Sequence, residues 1–598
     1  MKSFFKFTFA SIFGALLAVG ILVLIGMGIL GSIAASADKP VKVKNNSILE
    51  IKLDKQLTDR TIDNPFEKIN PFSMKPESTL GLNDILKNIE KAKTDEKIKG
   101  IYLNINAISS NFGGYAAIEE IRTKLLEFKN TGKFIVSYNN LGYSQKSYYL
   151  SSVADSIYMN PQGFIMITGL GGEAVFYKKF LKKLGVEPQI VRHGKFKAAV
   201  EPFLLEKMSE ANREQTMKYI GSIWNHMLEG ISKQRGISVE KLNQLTDELA
   251  IRKPKAALAH KFVDGLIYED QMNTKLKKLC GLKEKDKLRL VEMKKYTKAP
   301  GKSKGFAKEK IAVIYATGEI GFEQSNKSIG PGLATSIRKA RRDSTIKAIV
   351  LRVNSPGGSA LTSELIWREV ELASRAKPVI ASMGNVAASG GYYIACAADT
   401  IVAEPNTITG SIGIFALLFS GEDLIKNKMG LTTDSYGTNK FSNFGGGTPI
   451  PFLPFSSRKF NKEELAILQD YIEEGYDTFI TRVADGREMT KKAVDKIGQG
   501  RVWAADDAKE IGLVDELGGL EKAIEIAREK AGLEKYRIVS LPKVKDPFEA
   551  LIEDLTGEVK IQILQSELGE NYKYYHQTQQ ILKSAGVQAR IPYNIELN

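Results

Sequence analysis

The chain carries one long motif twice, and this duplication limits its possible folds more than any other feature. The second copy reads Asn385-Val386-Ala387-Ala388-Ser389-Gly390-Gly391-Tyr392-Tyr393-Ile394, then Ala398-Asp399 and Glu404-Pro405. The first reads Tyr143-Ser144-Gln145-Lys146-Ser147-Tyr148-Tyr149-Leu150, then Ala154-Asp155 and Asn160-Pro161. Asp95-Glu96-Lys97-Ile98-Lys99-Gly100-Ile101 is echoed by Asp343-Ser344-Thr345-Ile346-Lys347-Ala348-Ile349, and the Val263-Asp264 pair by Val514-Asp515. The offset stays near about 250 residues, the size of a domain rather than of a solenoid repeat. Two homologous domains are expected. Aligned on the Tyr-Tyr pairs, Ser389 falls opposite Gln145, so one half has lost a hydroxyl that the other keeps.

Apolar periodicity predicts the same succession in both halves. Strands are expected at 47–53, 100–103 and 133–138, with helices at 82–92 and 115–128 between them. The second half repeats this with strands at 311–315, 348–353 and 379–382 and helices at 333–341 and 363–374. Regular alternation of strand and helix argues for an α/β fold with largely parallel sheets. The domains are read as 46–293 and 311–540. A Lys-rich linker at 294–310 contains Pro300-Gly301. Residues 541–598 lie beyond the repeat, with two expected helices and no chemical motif.

The N-terminus sets the expected location. Lys2 and Lys6 precede a nearly uncharged run at 7–37, and 12–33 is long enough for a bilayer core, which needs about 20 apolar residues. Ala35-Ser36-Ala37 resembles a signal-peptide cleavage site. The run is longer than a usual signal core, so residues 1–45 are read as a cytoplasmic N-terminus and an uncleaved anchor. Everything after it is then extracytoplasmic.

The formal charge of +16 over 598 residues comes mostly from scattered lysines. With no Arg-rich arm or RNA-binding motif, no nucleic-acid partner is expected, whereas a basic surface suits anionic lipid. Cys280 and Cys396, one in each half, fit neither a metal site nor a disulfide framework. His193, His226, His260 and His576 form no metal pattern. Neither metal nor cofactor is expected.

The chemistry gathers around Ser389. A strand, a short Gly-Asn-Val-Ala-Ala loop and two glycines before a helix place its hydroxyl near a helix start, where free N–H groups favour an oxyanion. A plain helix N-cap is the alternative. Asn354-Ser355-Pro356-Gly357-Gly358-Ser359 adds a second element, because paired glycines after a strand can turn N–H groups toward an oxygen. The matching place in the first half, 106–114, is longer and lacks the proline. The oxyanion loop (Gly357, Gly358, with Gly390) and the serine are thus intact in the same half. A serine nucleophile needs a base. With histidine sparse, a lysine whose pKa is lowered by burial or a neighbouring cation can serve. Lys197, in the apolar stretch Gly194-Lys195-Phe196-Lys197-Ala198-Ala199-Val200-Glu201-Pro202-Phe203, is the candidate, with Lys195 nearby.

Together these motifs and Thr409-Gly410-Ser411-Ile412-Gly413 resemble the S49 serine peptidases, the signal peptide peptidases, in their long duplicated bacterial form. The resemblance runs from the anchor to about residue 540. It implies tandem ClpP/crotonase-like domains, a Ser/Lys dyad with Ser389 as nucleophile and Lys197 as base, and Ser411 as a possible orienter of the lysine. It also implies a tetrameric bowl on the bacterial cytoplasmic membrane that degrades apolar peptides, cleaved signal peptides among them. Short family members carry both residues in one domain, and Lys440 aligns with Lys197, so Lys440 is an alternative base. An acyl-thioester enzyme of the same fold and an inactive scaffold for exported proteins are the rival functions.

Overall fold

The computed structural model describes residues 41–61, 79–105, 113–301, 307–323, 328–445, 455–543 and 586–590, with scattered positions between 6 and 21. The expected membrane segment at 12–33 lies mostly outside them. Among the described residues no helix is long and apolar enough to cross a membrane.

Each half is built on a parallel sheet, and the strand order is the same in both. The first sheet runs Gly265–Leu266, Ser156–Met159, Phe134–Asn139, Ile98–Asn104, Ser47–Ile51, Leu290–Glu292. The second runs Glu516–Leu517, Thr400–Ala403, Val379–Ala388, Ile346–Ser355, Lys310–Thr317, Arg537–Leu541. Helices Leu82–Thr94 and Tyr115–Lys129 in one half, and Gly332–Arg342 and Ala360–Ser374 in the other, supply the crossovers that parallel strands require.

The repeated motifs do the same structural work in both halves. Asp155 Oδ2 accepts from Ile135 N at 2.8 Å, and Asp399 Oδ2 accepts from Val379 N at 2.7 Å. Asp264 Oδ2 accepts from Ile157 N and Asp515 Oδ2 from Ile401 N, each at 2.7 Å. Tyr148 Oη donates to Phe262 O and Tyr392 Oη to Leu513 O. These residues satisfy backbone groups at strand starts and corners, where an unpaired buried donor or acceptor is costly. They repeat because the scaffold repeats.

The helices and strands expected between 47 and 382 are present, with one strand much longer than expected. Val379–Ala388 runs through the Gly-Asn-Val-Ala-Ala segment that reads as a loop. Its first part pairs with Thr400–Ala403 and its last residues with Ile408–Gly410, so its end is held as ladder. Residues 294–310 are not wholly a linker either. Helix Met293–Thr297 buries Met293 and Tyr296 in the first core, and Ala299 packs there too. Gly586–Arg590 is a strand, and the two helices expected within 541–598 lie outside the described residues.

The halves are closely joined. Arg352, fully buried on a second-half strand, donates to Asp59 at 2.8 Å and Glu120 at 2.6 Å, both in the first half. Ala388, Ile408, Val502 and Ala504 pack into the first core. A third sheet crosses between the halves in the order Ser328–Ile329, Glu319–Ile320, Gly357–Ser359, Gly586–Arg590, Phe415–Ser420, Glu187–Arg192. Its last strand comes from the first half and pairs antiparallel with Phe415–Ser420 over Glu187 to Arg192. This pairing carries a piece of the first half, with Lys197, onto the second.

Candidate active site

Ser389 stands where strand Val379–Ala388 turns into helix Gly390–Ala395. Its N–H donates to Gly410 O at 2.8 Å, and its carbonyl accepts from Tyr393 N. The turn forces φ 55° on a residue with a side chain, a strained geometry of about 1–3 kcal/mol of the sort that marks functional sites. The hydroxyl does not cap the helix.

It faces Lys197 instead. Lys197 Nζ lies 2.8 Å from Ser389 Oγ, 3.0 Å from Ser411 O and 3.0 Å from Ser411 Oγ, and all three residues are fully buried. Burial alone pushes the Lys197 pKa well below that of an ordinary lysine. Lys195, expected as a helping cation, lies over the Phe196 ring and does not contribute to the shift. A neutral amine has two N–H donors and one lone pair. With both donors on Ser411, the lone pair is left for the Ser389 hydroxyl proton. Ser411 also sits at positive φ, 51°, pinned by its N–H to Arg501 O at 2.7 Å.

The lysine reaches this place through apolar packing and two glycine contacts. Val200 and Phe203, just after it, bury against Phe415, Leu417 and Phe419 of the facing strand. Phe196 N donates to Gln499 O. A Cβ on Gly194 would come within 2.5 Å of Gln499 O, and one on Gly500 within 2.6 Å of the Lys197 backbone. Both glycines have positive φ, 85° and 84°, so only glycine allows this closeness without strain. Gln215, on helix Glu210–Arg235, closes the clasp by donating to Phe196 O and accepting from Val502 N, each at 3.0 Å. Gly500 and Gln215 escaped the sequence reading. No motif marks either one, and each acts across a contact hundreds of residues apart in the chain.

The glycine loop forms the other wall. Gly357 and Gly358 have φ 100° and 150°. A Cβ on Gly357 would lie 2.8 Å from Gly390 N, so Gly357 and Gly390 face one small space beside Ser389. The Gly357 N–H is donated to Ser355 Oγ at 3.2 Å, and the N–H groups at Gly358 and Gly390 beside it are candidates to hold a developing oxyanion. The loop's counterpart at 106–112 lies outside the described residues. Lys440 is elsewhere: exposed, paired with Glu463 at 2.7 Å and set over the Phe441 ring. In the first half, Gln145 accepts from Thr168 N and Gly169 N at 3.1 and 3.0 Å and donates to Gly169 O at 3.2 Å. Both cysteines are free and buried. Among the described residues no group of three or more His, Cys, Asp or Glu side chains is placed to hold a metal ion.

A buried serine against a lysine whose pKa burial depresses, beside a glycine cradle, has the parts of a serine hydrolase. Comparison with known proteins says which one. Residues 127–283 and 371–534 match Peptidase family S49, and the chain belongs to that family of serine peptidases. It is 37% identical to Protease 4 of Haemophilus influenzae over 75% of this chain and 72% of that one. It is 36% identical to Protease 4 of Salmonella typhi over 90% and 87%. It is 32% identical to the chloroplastic serine protease SPPA of Arabidopsis thaliana over 92% and 78%. A solved ClpP1 mutant from Listeria monocytogenes aligns with 36% of this chain and 94% of its own, at 15% identity and a TM-score of 0.23.

Proposed function

We propose that this chain is an endopeptidase that cuts apolar peptides, cleaved signal peptides among them, with Ser389 as nucleophile and Lys197 as general base. The observation that carries the reading is the 2.8 Å approach of Lys197 Nζ to Ser389 Oγ, both residues being fully buried. Lys197 takes the hydroxyl proton as Ser389 attacks the scissile carbonyl. The N–H groups at Gly358 and Gly390 stabilise the oxyanion, with Gly357, whose own N–H is held by Ser355 Oγ, shaping the wall of the site. Lys197 then protonates the leaving amine, and water releases the acyl group from Ser389 by the reverse proton path. Ser411 orients the lysine. In the same reading, residues 12–33 anchor the chain in the cytoplasmic membrane with both domains outside, and four copies form the working assembly.

The test compares the detergent-solubilised chain with Ser389→Ala, Lys197→Ala and Lys440→Ala on an apolar peptide. The expected outcome is activity only in the wild type and Lys440→Ala. Activity in Ser389→Ala would sink the mechanism, and loss in Lys440→Ala alone among the lysine variants would move the base to the second half.

A further inference from the structure

Lys197 is fixed from behind by a turn of the other half. Residues 498–501 run past it, with Gln499 and Gly500 both at positive φ, 53° and 84°. Gln499 O accepts from Phe196 N, just before the base, at 3.1 Å. Gly500 N donates to Ile412 O and Arg501 O accepts from Ser411 N, each at 2.7 Å. One turn thus sets both the lysine backbone and the serine whose two oxygens receive Nζ. A glutamine persists in this left-handed region only where its surroundings hold it there.

Tyr476 does the holding. It stands buried on helix Lys462–Gly486. Its Oη donates to Asp495 Oδ1 at 2.6 Å and accepts from Gln499 N at 3.1 Å. Burial and the Asp495 carboxylate push the Tyr476 phenol up, so it stays a donor. A Cβ on Gly498 would lie 3.2 Å from Oη, so the turn is packed directly on the hydroxyl. The ring is fixed in turn by His193, stacked on it at 3.8 Å, whose Nδ1 lies 2.6 Å from Glu473 Oε2. His193, Tyr476, Asp495 and Gln499 line a cleft of about 880 Å³ whose walls include neither Ser389 nor Lys197. Tyr476 therefore faces the base from behind and not the substrate.

We propose that Tyr476 is a positioning residue for the general base: its hydroxyl, anchored on Asp495, locks the 498–501 turn and through it holds Lys197 Nζ on Ser389 Oγ. The proposal rests on the Ser389–Lys197 reading above. Contact runs from the Asp495 carboxylate to the Tyr476 hydroxyl and the Gln499 backbone. From there it branches to Phe196 through Gln499 O and to Ser411 through Arg501 O. Without the hydroxyl, the Gln499 N–H loses its acceptor and the turn is free to relax. The turn is also part of the wall around the lysine. A Cβ on Gly413 would lie 3.0 Å from Gly500 Cα and 3.4 Å from Lys197 Cδ, which leaves no room for water there. Ser389 and Ser411, the partners of Nζ, are uncharged, and Arg192 meets only the Lys197 carbonyl. Desolvation alone depresses the lysine, so a relaxed turn that admits water returns it toward the ordinary lysine range.

The detergent-solubilised full chain is compared with Tyr476→Phe, Asp495→Ala, Asp495→Asn and Lys197→Ala on an apolar peptide, each variant first checked for the wild-type fold by circular dichroism. Tyr476→Phe keeps the ring on His193 and removes only the hydroxyl. It is expected to lower kcat by about 10–100-fold, the size of a small misplacement of a reacting group, with KM within about 2-fold of wild type. The acid limb of its kcat/KM profile is expected to move to higher pH, because the base must be neutral to act. Asp495→Ala should share both effects, whereas Asp495→Asn, whose amide oxygen still accepts from Oη, should stay within about 2-fold of wild type. A tyrosine that only stabilised the fold would leave the limb where it is. An unmoved limb in Tyr476→Phe, or a loss carried by KM, overturns the proposal, and an inactive Lys197→Ala beside it leaves the base reading standing. Full activity in Lys197→Ala overturns both. Should Tyr476→Phe not fold, the Asp495 pair decides: equal kcat in Asp495→Ala and Asp495→Asn overturns the proposal.

Discussion

The two halves start from one scaffold and differ where strand meets helix. In the second half, Val379–Ala388 stays in the sheet up to Ser389, which turns at positive φ and enters the helix with its hydroxyl free for Lys197. In the first, Phe134–Asn139 stops early, and Asn139 Oδ1 takes the N–H groups of Leu141 and Gly142. Ser144 then caps helix Gln145–Ser151 at ordinary backbone angles. The lysines show the opposite division. Lys197 is buried and Lys440, its aligned partner, is an exposed half of an ion pair. The first half thus has the buried lysine and the second the free serine, while Gln145 holds the backbone of Thr168 and Gly169 and Lys440 lies at the surface. The site is complete only because strand Glu187–Arg192 leaves its own domain to pair with the other.

The largest effect expected from breaking this arrangement comes at the pair itself. Ser389→Ala and Lys197→Ala should each lower kcat by about 10⁴-fold or more, and the double variant should be hardly worse, because groups that act as a unit are not additive. Steady-state kinetics on an apolar peptide measures both. The pH profile separates them further. Lys197 works only when neutral, so activity is expected to fall as pH drops through its depressed pKa and to be full well below the usual lysine range. The same shift has a stability sign. Between the depressed folded pKa and the ordinary unfolded one, the unfolded chain binds a proton that the folded chain lacks, so stability rises with pH across that window. Lys197→Met, which has nothing to deprotonate, should be inactive yet should resist urea better at neutral pH. A Lys197→Met chain that unfolds more easily there would show that the lysine is held charged.

Next in size is the cradle. Gly357→Ala places a methyl group where the Ala589 carbonyl oxygen lies and forces alanine to φ 100°. The expected cost is about 10²–10³ in kcat, the usual size for loss of oxyanion stabilisation, with the fold retained by circular dichroism. Unchanged kcat would remove Gly357 from the site. Arg352→Ala tests the joint between halves rather than the chemistry. It leaves Asp59 and Glu120 as buried charges without their partner, at an expected cost of about 3–5 kcal/mol in urea unfolding.

Much of this was legible in the residues. The duplication appears as two sheets with the same strand order, and the alternation of strand and helix appears in both. Ser389, Gly357, Gly358 and Gly390 stand together, and Lys197 is beside them. What escaped has a common cause. The strand to Ala388 looks like a loop because glycine and alanine carry little strand propensity, and its ladder partners lie downstream at Ile408–Gly410. Gly500 and Gln215 matter through contacts that no local pattern encodes. Strand Gly586–Arg590 is too short to show a period, and its place depends on a slot formed by two distant segments.

The smallest expected effect bears most directly on the division between the halves. Lys440 aligns with Lys197, and a chain that retained a complete second-half site would use it. Here its Nζ meets Glu463 in solvent, with its side chain 66% exposed. It lacks the burial that sets Lys197 against Ser389. Exposed pairs of this sort contribute little to stability. Lys440→Ala should therefore leave kcat, KM and the pH profile as they are in the wild type. A fall of about 100-fold would mean that the segment around Lys440 rearranges when a peptide binds and brings this lysine to Ser389. Retained activity in Lys440→Ala, set against its loss in Lys197→Ala, would establish that the working base crosses from the first half to the second.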